Sequence, residues 1–261
     1  MTLLLHELKR NRLALIIWSA AISFMLGICV IIYPEMSKQM GELSEMFSDM
    51  GAFSDAFGMD QLNFGEFMGY FAIECGNTLG LGGSIFAAIL GISAITKEEQ
   101  NRTAEFLLSH PISRVSILTS KALSILCQIF IMNLAVMSVT LLGTLAIGEN
   151  AGLGKLALLF LANILMQIEI AAITLGVSVF IKNSGLGIGI GIAFGLYFLN
   201  IIANLSKDIE FLKYITPFGY TDGGYIVENY SLEWKYLAVG YAIALVGIIL
   251  AYKKYPRKDI A

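Results

Sequence analysis

The sequence predicts an all-α integral membrane protein with six transmembrane helices, and three observations predict it. Its 261 residues are 57% hydrophobic and only 14% charged, with a mean hydropathy of +0.74, whereas a soluble domain carries roughly a quarter charged residues. Six apolar runs, at about 13–33, 70–95, 122–147, 156–181, 185–205 and 236–252, have the roughly 17 to 25 residues needed to cross about 30 Å of hydrocarbon as a helix. Of the 17 lysines and arginines, twelve fall on one side of these runs, in 1–12, 96–121, 182–184 and the tail, and only Lys38, Lys155, Lys207, Lys213 and Lys235 on the other. Cytoplasmic loops retain such residues, so both termini are expected in the cytoplasm of a multi-pass cell-membrane protein. The chain 1–261 reads as a single transmembrane domain, and its net charge of −3 conceals acidic groups gathered outside and basic groups inside.

Residues 1–12, MTLLLHELKRNR, set Leu3, Leu4, Leu5 and Leu8 among charges and predict an amphipathic helix in the cytoplasmic interface. The first apolar run exceeds a signal-peptide core and no small-x-small site ends it, so span one is expected to be retained. From Pro34 to Met68 the chain is acidic, rich in Met and Phe and interrupted by Gly41, Gly51, Gly58 and Gly65, which predicts short amphipathic helices broken by turns. A cation-attracting vestibule and a plain solvated loop both fit it. Span two carries Glu74 near its outer end, with Asn77 three residues on and expected on the same face.

Between spans two and three, ITKEEQNRTAEFLLSHPISRVSILTSK (95–121) is polar yet lies between apolar runs. Ala104, Phe106, Leu107 and Leu108 give its first half an apolar face. Pro111 pushes His110 out of the helix, and Ser113 can cap the next one, which makes an elbow of helix, turn and helix. The run Thr103, Ala104, Glu105, Phe106, Leu107, Leu108, then Pro111, Ile112, Ser113 and Arg114 resembles the G-T-x-E-x-L-L-x-x-P-x-S-R segment after the second span of ABC exporter permeases of the type-2 family, with Arg102 where the family usually has glycine. The resemblance implies that Arg102, Thr103, Glu105, Phe106, Leu107, Leu108, Pro111 and Arg114 form a cytoplasmic coupling helix docking on a separate ATP-binding subunit, two copies per transporter. It further implies a prokaryotic cell membrane, ATP and Mg bound on that subunit, and no cofactor or nucleic acid on this chain. Permeases of this family also commonly begin with an amphipathic helix like residues 1–12.

Span four places Glu169 at mid-membrane, with Asn163 and Gln167 on another face. Buried ionisable groups are expensive and mark a pathway or a partner. Glu169 fits a substrate-pathway or protonatable role and a structural hydrogen bond equally. Glu74, being shallower, also fits an interfacial carboxylate reaching water. In span five, Gly187, Gly191 and Gly195 recur every fourth residue, a small-residue stripe for close helix packing. The stripe leaves open whether its partner helix lies in this chain or a second copy; in the resembled family spans one and five build the dimer interface, which implies a homodimer. Residues 206–235 are aromatic and broken by Pro217, Gly219, Gly223 and Gly224, predicting an outer re-entrant helical hairpin or an ordinary aromatic belt. There Tyr214, Pro217 and Phe218 lie in or beside the Thr216–Gly219 run, which resembles the family's outer re-entrant segment capping the route. The basic tail YKKYPRKDIA stops span six and needs no other function.

Cys29, Cys75 and Cys127 fall inside spans as small apolar residues, with no disulfide framework or metal site. No G-x-x-x-x-G-K-[ST] loop or H-E-x-x-H helix occurs, so the chain is not expected to be an enzyme. The reading is the permease subunit of an ATP-driven exporter, from a family that handles drugs, peptides, sodium, lipids and glycans. The alternatives are an ion- or proton-coupled secondary carrier or channel using Glu169 and Glu74, and a non-transporting scaffold. No internal repeat of the kind such carriers show relates 13–147 to 156–252.

Overall fold

The computed structural model describes residues 2–49, 66–101, 112–150, 152–182 and 185–258. The helices are α1 (Thr2–Asp49), α2 (Phe67–Gln100), α3 (Arg114–Ile147), α4 (Leu153–Ser178), α5 (Leu186–Leu205), α6 (Gly223–Asn229) and α7 (Trp234–Lys254). Short 3-10 helices occupy Lys207–Tyr214, Pro217–Tyr220 and Tyr255–Arg257, and the described residues contain no strand. All of these helices except the short α6 are long and apolar enough to cross a membrane, as the six apolar runs predict.

Two expectations about α1 give way. No separate interfacial helix forms at 2–12: the helix is continuous from Thr2, because no glycine or proline precedes Gly27 and because Glu7 and Arg10 turn into the bundle rather than along its surface. Nor does the chain break up at Pro34, which sits inside α1 as the helix runs on to Asp49. A proline costs one backbone bond, and membrane helices tolerate this where neighbours re-satisfy the freed group. Residues 50–65 of the acidic loop lie outside the described residues.

α2 and α4 form the centre of the bundle, with 67% and 56% of their apolar windows buried against 17% for α5. Lipid offers no hydrophobic drive between helices, so small residues that let backbones close up decide which helices touch. At the α4–α7 crossing a Cβ added to Gly176 would stand 2.6 Å from Gly247 Cα. α5 rests on α2 through Gly189, whose added Cβ would meet the Ala88 carbonyl at 3.1 Å. α1 lies along α3, with Gly143 facing Val30. The α3–α4 link turns at Gly148, whose φ of 74° is left-handed backbone.

α2 is not regular. Cys75–Gly80 is a turn of π-helix, whose i→i+5 bonds insert one residue and rotate the phase of everything beyond it. Glu74 and Asn77 therefore do not share a face. Glu74 Oε2 accepts from Cys29 Sγ on α1 at 3.5 Å, while Asn77 Oδ1 accepts from the Tyr197 hydroxyl on α5 at 3.1 Å.

Candidate functional site

The start of α1 and the end of α7 lie at one end of the bundle, where two clusters of charge tie helices together. In the first, Lys121 at the start of α3 is 2% exposed and contacts Glu98 Oε1 of α2 at 2.5 Å and Glu7 Oε1 of α1 at 3.1 Å. Arg10 adds its own pairs, at 3.1 Å to Glu7 and 3.6 Å to Glu98. Glu7 and Glu98 are 4% and 5% exposed, and a buried carboxylate is tolerable only when paired. A cavity of about 90 Å³ adjoins this cluster, walled by Arg10, Lys97, Lys121 and Gln128.

The second cluster is built by the tail. Lys258 Nζ donates to the Ile181 carbonyl just beyond α4 at 2.7 Å and pairs with Glu99 Oε1 of α2 at 2.6 Å. The Lys258 carbonyl in turn accepts from Arg114 Nη1 at 2.7 Å, and longer bonds run from that nitrogen to the carbonyls of Tyr255 and Pro256. Of the residues resembling a coupling helix, Arg102, Thr103, Glu105, Phe106, Leu107, Leu108 and Pro111 lie outside the described residues. Arg114 is described, and it grips the tail. Ser113 caps α3 as expected, its Oγ accepting from Ser116 N at 3.2 Å. The two clusters thus bracket the 102–111 segment on both flanks.

At mid-bundle Asn163 and Gln167 do face away from Glu169. Asn163 turns to Cys75 of α2, and Gln167 Oε1 accepts from Asn133 Nδ2 of α3 at 2.6 Å. Glu169 is fully buried and faces α7, where a Cβ on Gly240 would lie 2.5 Å from both carboxyl oxygens. The Tyr220 hydroxyl donates to Glu169 Oε2 at 2.8 Å, and Oε1 has no hydrogen-bond partner among the described residues. Burial first, then the Glu169 carboxyl beside it, push the Tyr220 phenol well above the usual tyrosine range, so it stays a donor.

Tyr220 belongs to the 206–233 connection at the aromatic end. Glu169 is sixteen residues into α4, about 24 Å along its axis. A second anchor is Thr216 Oγ1, which donates to the Leu196 carbonyl midway along α5 at 2.8 Å. Pro217 opens the next 3-10 turn, Phe218 packs edge-on against Tyr197 with ring centres 5.3 Å apart, and Tyr214 packs on Tyr236 at 4.8 Å. A polar cavity of about 70 Å³ lies between this connection, α2 and α5, lined in part by Asn77, Asn200, Thr221 and Asp222.

The α5 stripe has no partner among the described residues of this chain. An added Cβ at Gly187, Gly191 or Gly195 would meet nothing within 4 Å. The residues that sequence reasoning missed are Tyr220, whose only visible mark was aromatic density, and Lys258 and Lys121, which counted as topology signals without partners.

No curated protein matches the sequence. The family model for ABC-2 family transporter proteins matches residues 1–260, in keeping with the six helices long and apolar enough to cross a membrane. This chain is a member of the ABC-2 transporter family, whose proteins are membrane components of ABC transporters rather than catalysts.

Proposed function

We propose that the chain is the permease subunit of an ATP-driven exporter, with the end that holds the two charge clusters cytoplasmic, working as a homodimer bound to two copies of a separate ATP-binding subunit. The observation that carries this reading is the bracketing of the 102–111 segment: α2 and α3, which flank it, are both fixed into the bundle by buried ion pairs. A force applied to that segment then moves helices rather than a loose loop. The segment is the coupling helix, and Arg102, Thr103, Glu105, Phe106, Leu107, Leu108 and Pro111 meet the ATPase. The 206–233 connection is the outer re-entrant cap. ATP and Mg bind only on the partner subunit, where they drive closure of the ATPase dimer.

The test is purification from native membranes with Glu105→Lys against the unaltered chain. The expected result is a stoichiometric ATPase on the unaltered chain and at least tenfold less on the variant, with equal membrane insertion. Equal recovery on both would remove the docking role.

The uncovered stripe on α5 supports the dimer, since three open glycines at i, i+4 and i+8 let a second backbone approach closely. Gly191→Leu fills that face and should weaken self-association about tenfold, read as dimer fraction against detergent dilution. An unchanged dimer fraction would turn the stripe toward lipid.

A further inference from the structure

The tail does more than end α7. We propose that Lys258 is a positioning residue that makes Tyr255–Lys258 a strap, joining both arms of the coupling segment to spans four and six. The inference rests on the exporter reading above.

Lys258 is only 7% exposed. Long amphipathic side chains normally keep the ammonium in water, so a buried one needs partners; this one is met from two elements, and a third holds the residue's backbone. Its Nζ contacts Glu99 on the last turn of α2 and the Ile181 carbonyl beyond α4. Its own carbonyl takes the shortest of three bonds from Arg114, the first residue of α3. Covalently it continues from α7 through Tyr255, itself 2% exposed and packed in the main core. One residue therefore gathers the cytoplasmic ends of α2, α3, α4 and α7.

Direction matters here. Glu99 and Arg114 are the described charged residues nearest the 102–111 segment on either side, three residues before it and three after it. Both point to the strap. Without the strap, a push on the segment would reach α2 and α3 directly and α4 and α7 only through side-chain packing and the Asn133–Gln167 and Thr119–Tyr252 hydrogen bonds. With it, the push is shared among four helices through an ion pair to Glu99 and charge-assisted hydrogen bonds at Ile181 and Arg114, which are shorter and stronger than neutral ones. The first cluster does the same for α1 through Lys121. No described ion pair ties α5 at this end, so α5 is the span against which the strapped helices move.

The test uses the whole complex purified from native membranes, comparing the unaltered chain with Lys258→Met and Lys258→Arg. Three quantities are read: the amount of ATPase bound, the thermal midpoint of the complex, and ATP hydrolysis relative to the ATPase alone. Lys258→Met keeps the buried stem but removes the head group. It should retain the ATPase but lower the midpoint, because Glu99 is left buried without its cation, and it should lose the permease-dependent change in hydrolysis by at least fivefold. Lys258→Arg, which keeps the charge and the donors, should restore most of it. Hydrolysis in Lys258→Met within twofold of the unaltered complex would overturn the strap. So would a loss matched by a fallen midpoint that arginine does not repair. If the unaltered chain carries no ATPase, the exporter reading fails and the strap's coupling role falls with it, an outcome distinct from a bound but indifferent ATPase.

Discussion

Replacing Lys121 with methionine should destabilise the protein by about 3 kcal/mol, the lower end of the range for breaking a buried pair by removing one partner. The lower end applies because Arg10 remains against both carboxylates, at 3.1 Å and 3.6 Å. Methionine keeps the side-chain volume, so little of the loss is packing. What is lost is the only cation of the cluster that is itself fully buried, and with it two contacts that join α1, α2 and α3 at one nitrogen. Unfolding in mixed SDS micelles reads the change. Adding Glu7→Gln to Lys121→Met should recover part of the loss, because one of the two stranded charges is then gone. Such recovery separates a charge effect from a fold defect. A change below about 0.5 kcal/mol for Lys121→Met, the size typical of exposed surface sites, would mean that water reaches the cluster.

This cluster shows where sequence reasoning stops. Lys121 was visible as a positive residue at the start of a span, and the topology rule used it for that. Its partners stand 114 and 23 residues away in the chain, and no periodicity links them. Glu99 and Lys258 are further apart still. Spans were legible because a run of apolar residues long enough to cross the bilayer is a local property, and the described helices α2 to α5 and α7 fall on the runs. Local signals also found the Ser113 cap and the separate faces of Gln167 and Glu169. The π turn at Cys75–Gly80 was not legible, since CGNTLG reads equally well as α-helix. That one inserted residue sent Glu74 to α1 and Asn77 to α5. The glycine stripe marks an intermediate case. Its spacing was plain, but which face of α5 the bundle covers depends on Gly185 and Gly189 settling against Ile92, a fact of packing.

Glu169 gives the second large effect, and two substitutions divide its possible roles. Glu169→Leu removes the acceptor from a Tyr220 hydroxyl that is 1% exposed. A buried donor left unpaired costs about 1–3 kcal/mol, and here the cost falls on the docking of the 206–233 connection, which otherwise holds to mid-bundle through Thr216 and Leu196. Amide exchange in the Thr216–Tyr220 turn should accelerate roughly fivefold to a hundredfold, the same energy expressed as a ratio. Glu169→Gln keeps a carbonyl for Tyr220, and its exchange should stay close to that of the unaltered protein. The two variants then part ways on function. If Glu169 is the post to which the outer cap is latched, Gln preserves ATP-coupled turnover and Leu reduces it in step with the faster exchange. A Gln variant that holds the cap but loses turnover would mean that the ionisable proton itself is used, and would move Glu169 from the latch to an ion or proton route. Exchange that is unchanged in Glu169→Leu would show that Thr216 and the Phe218–Tyr197 contact seat the connection without it.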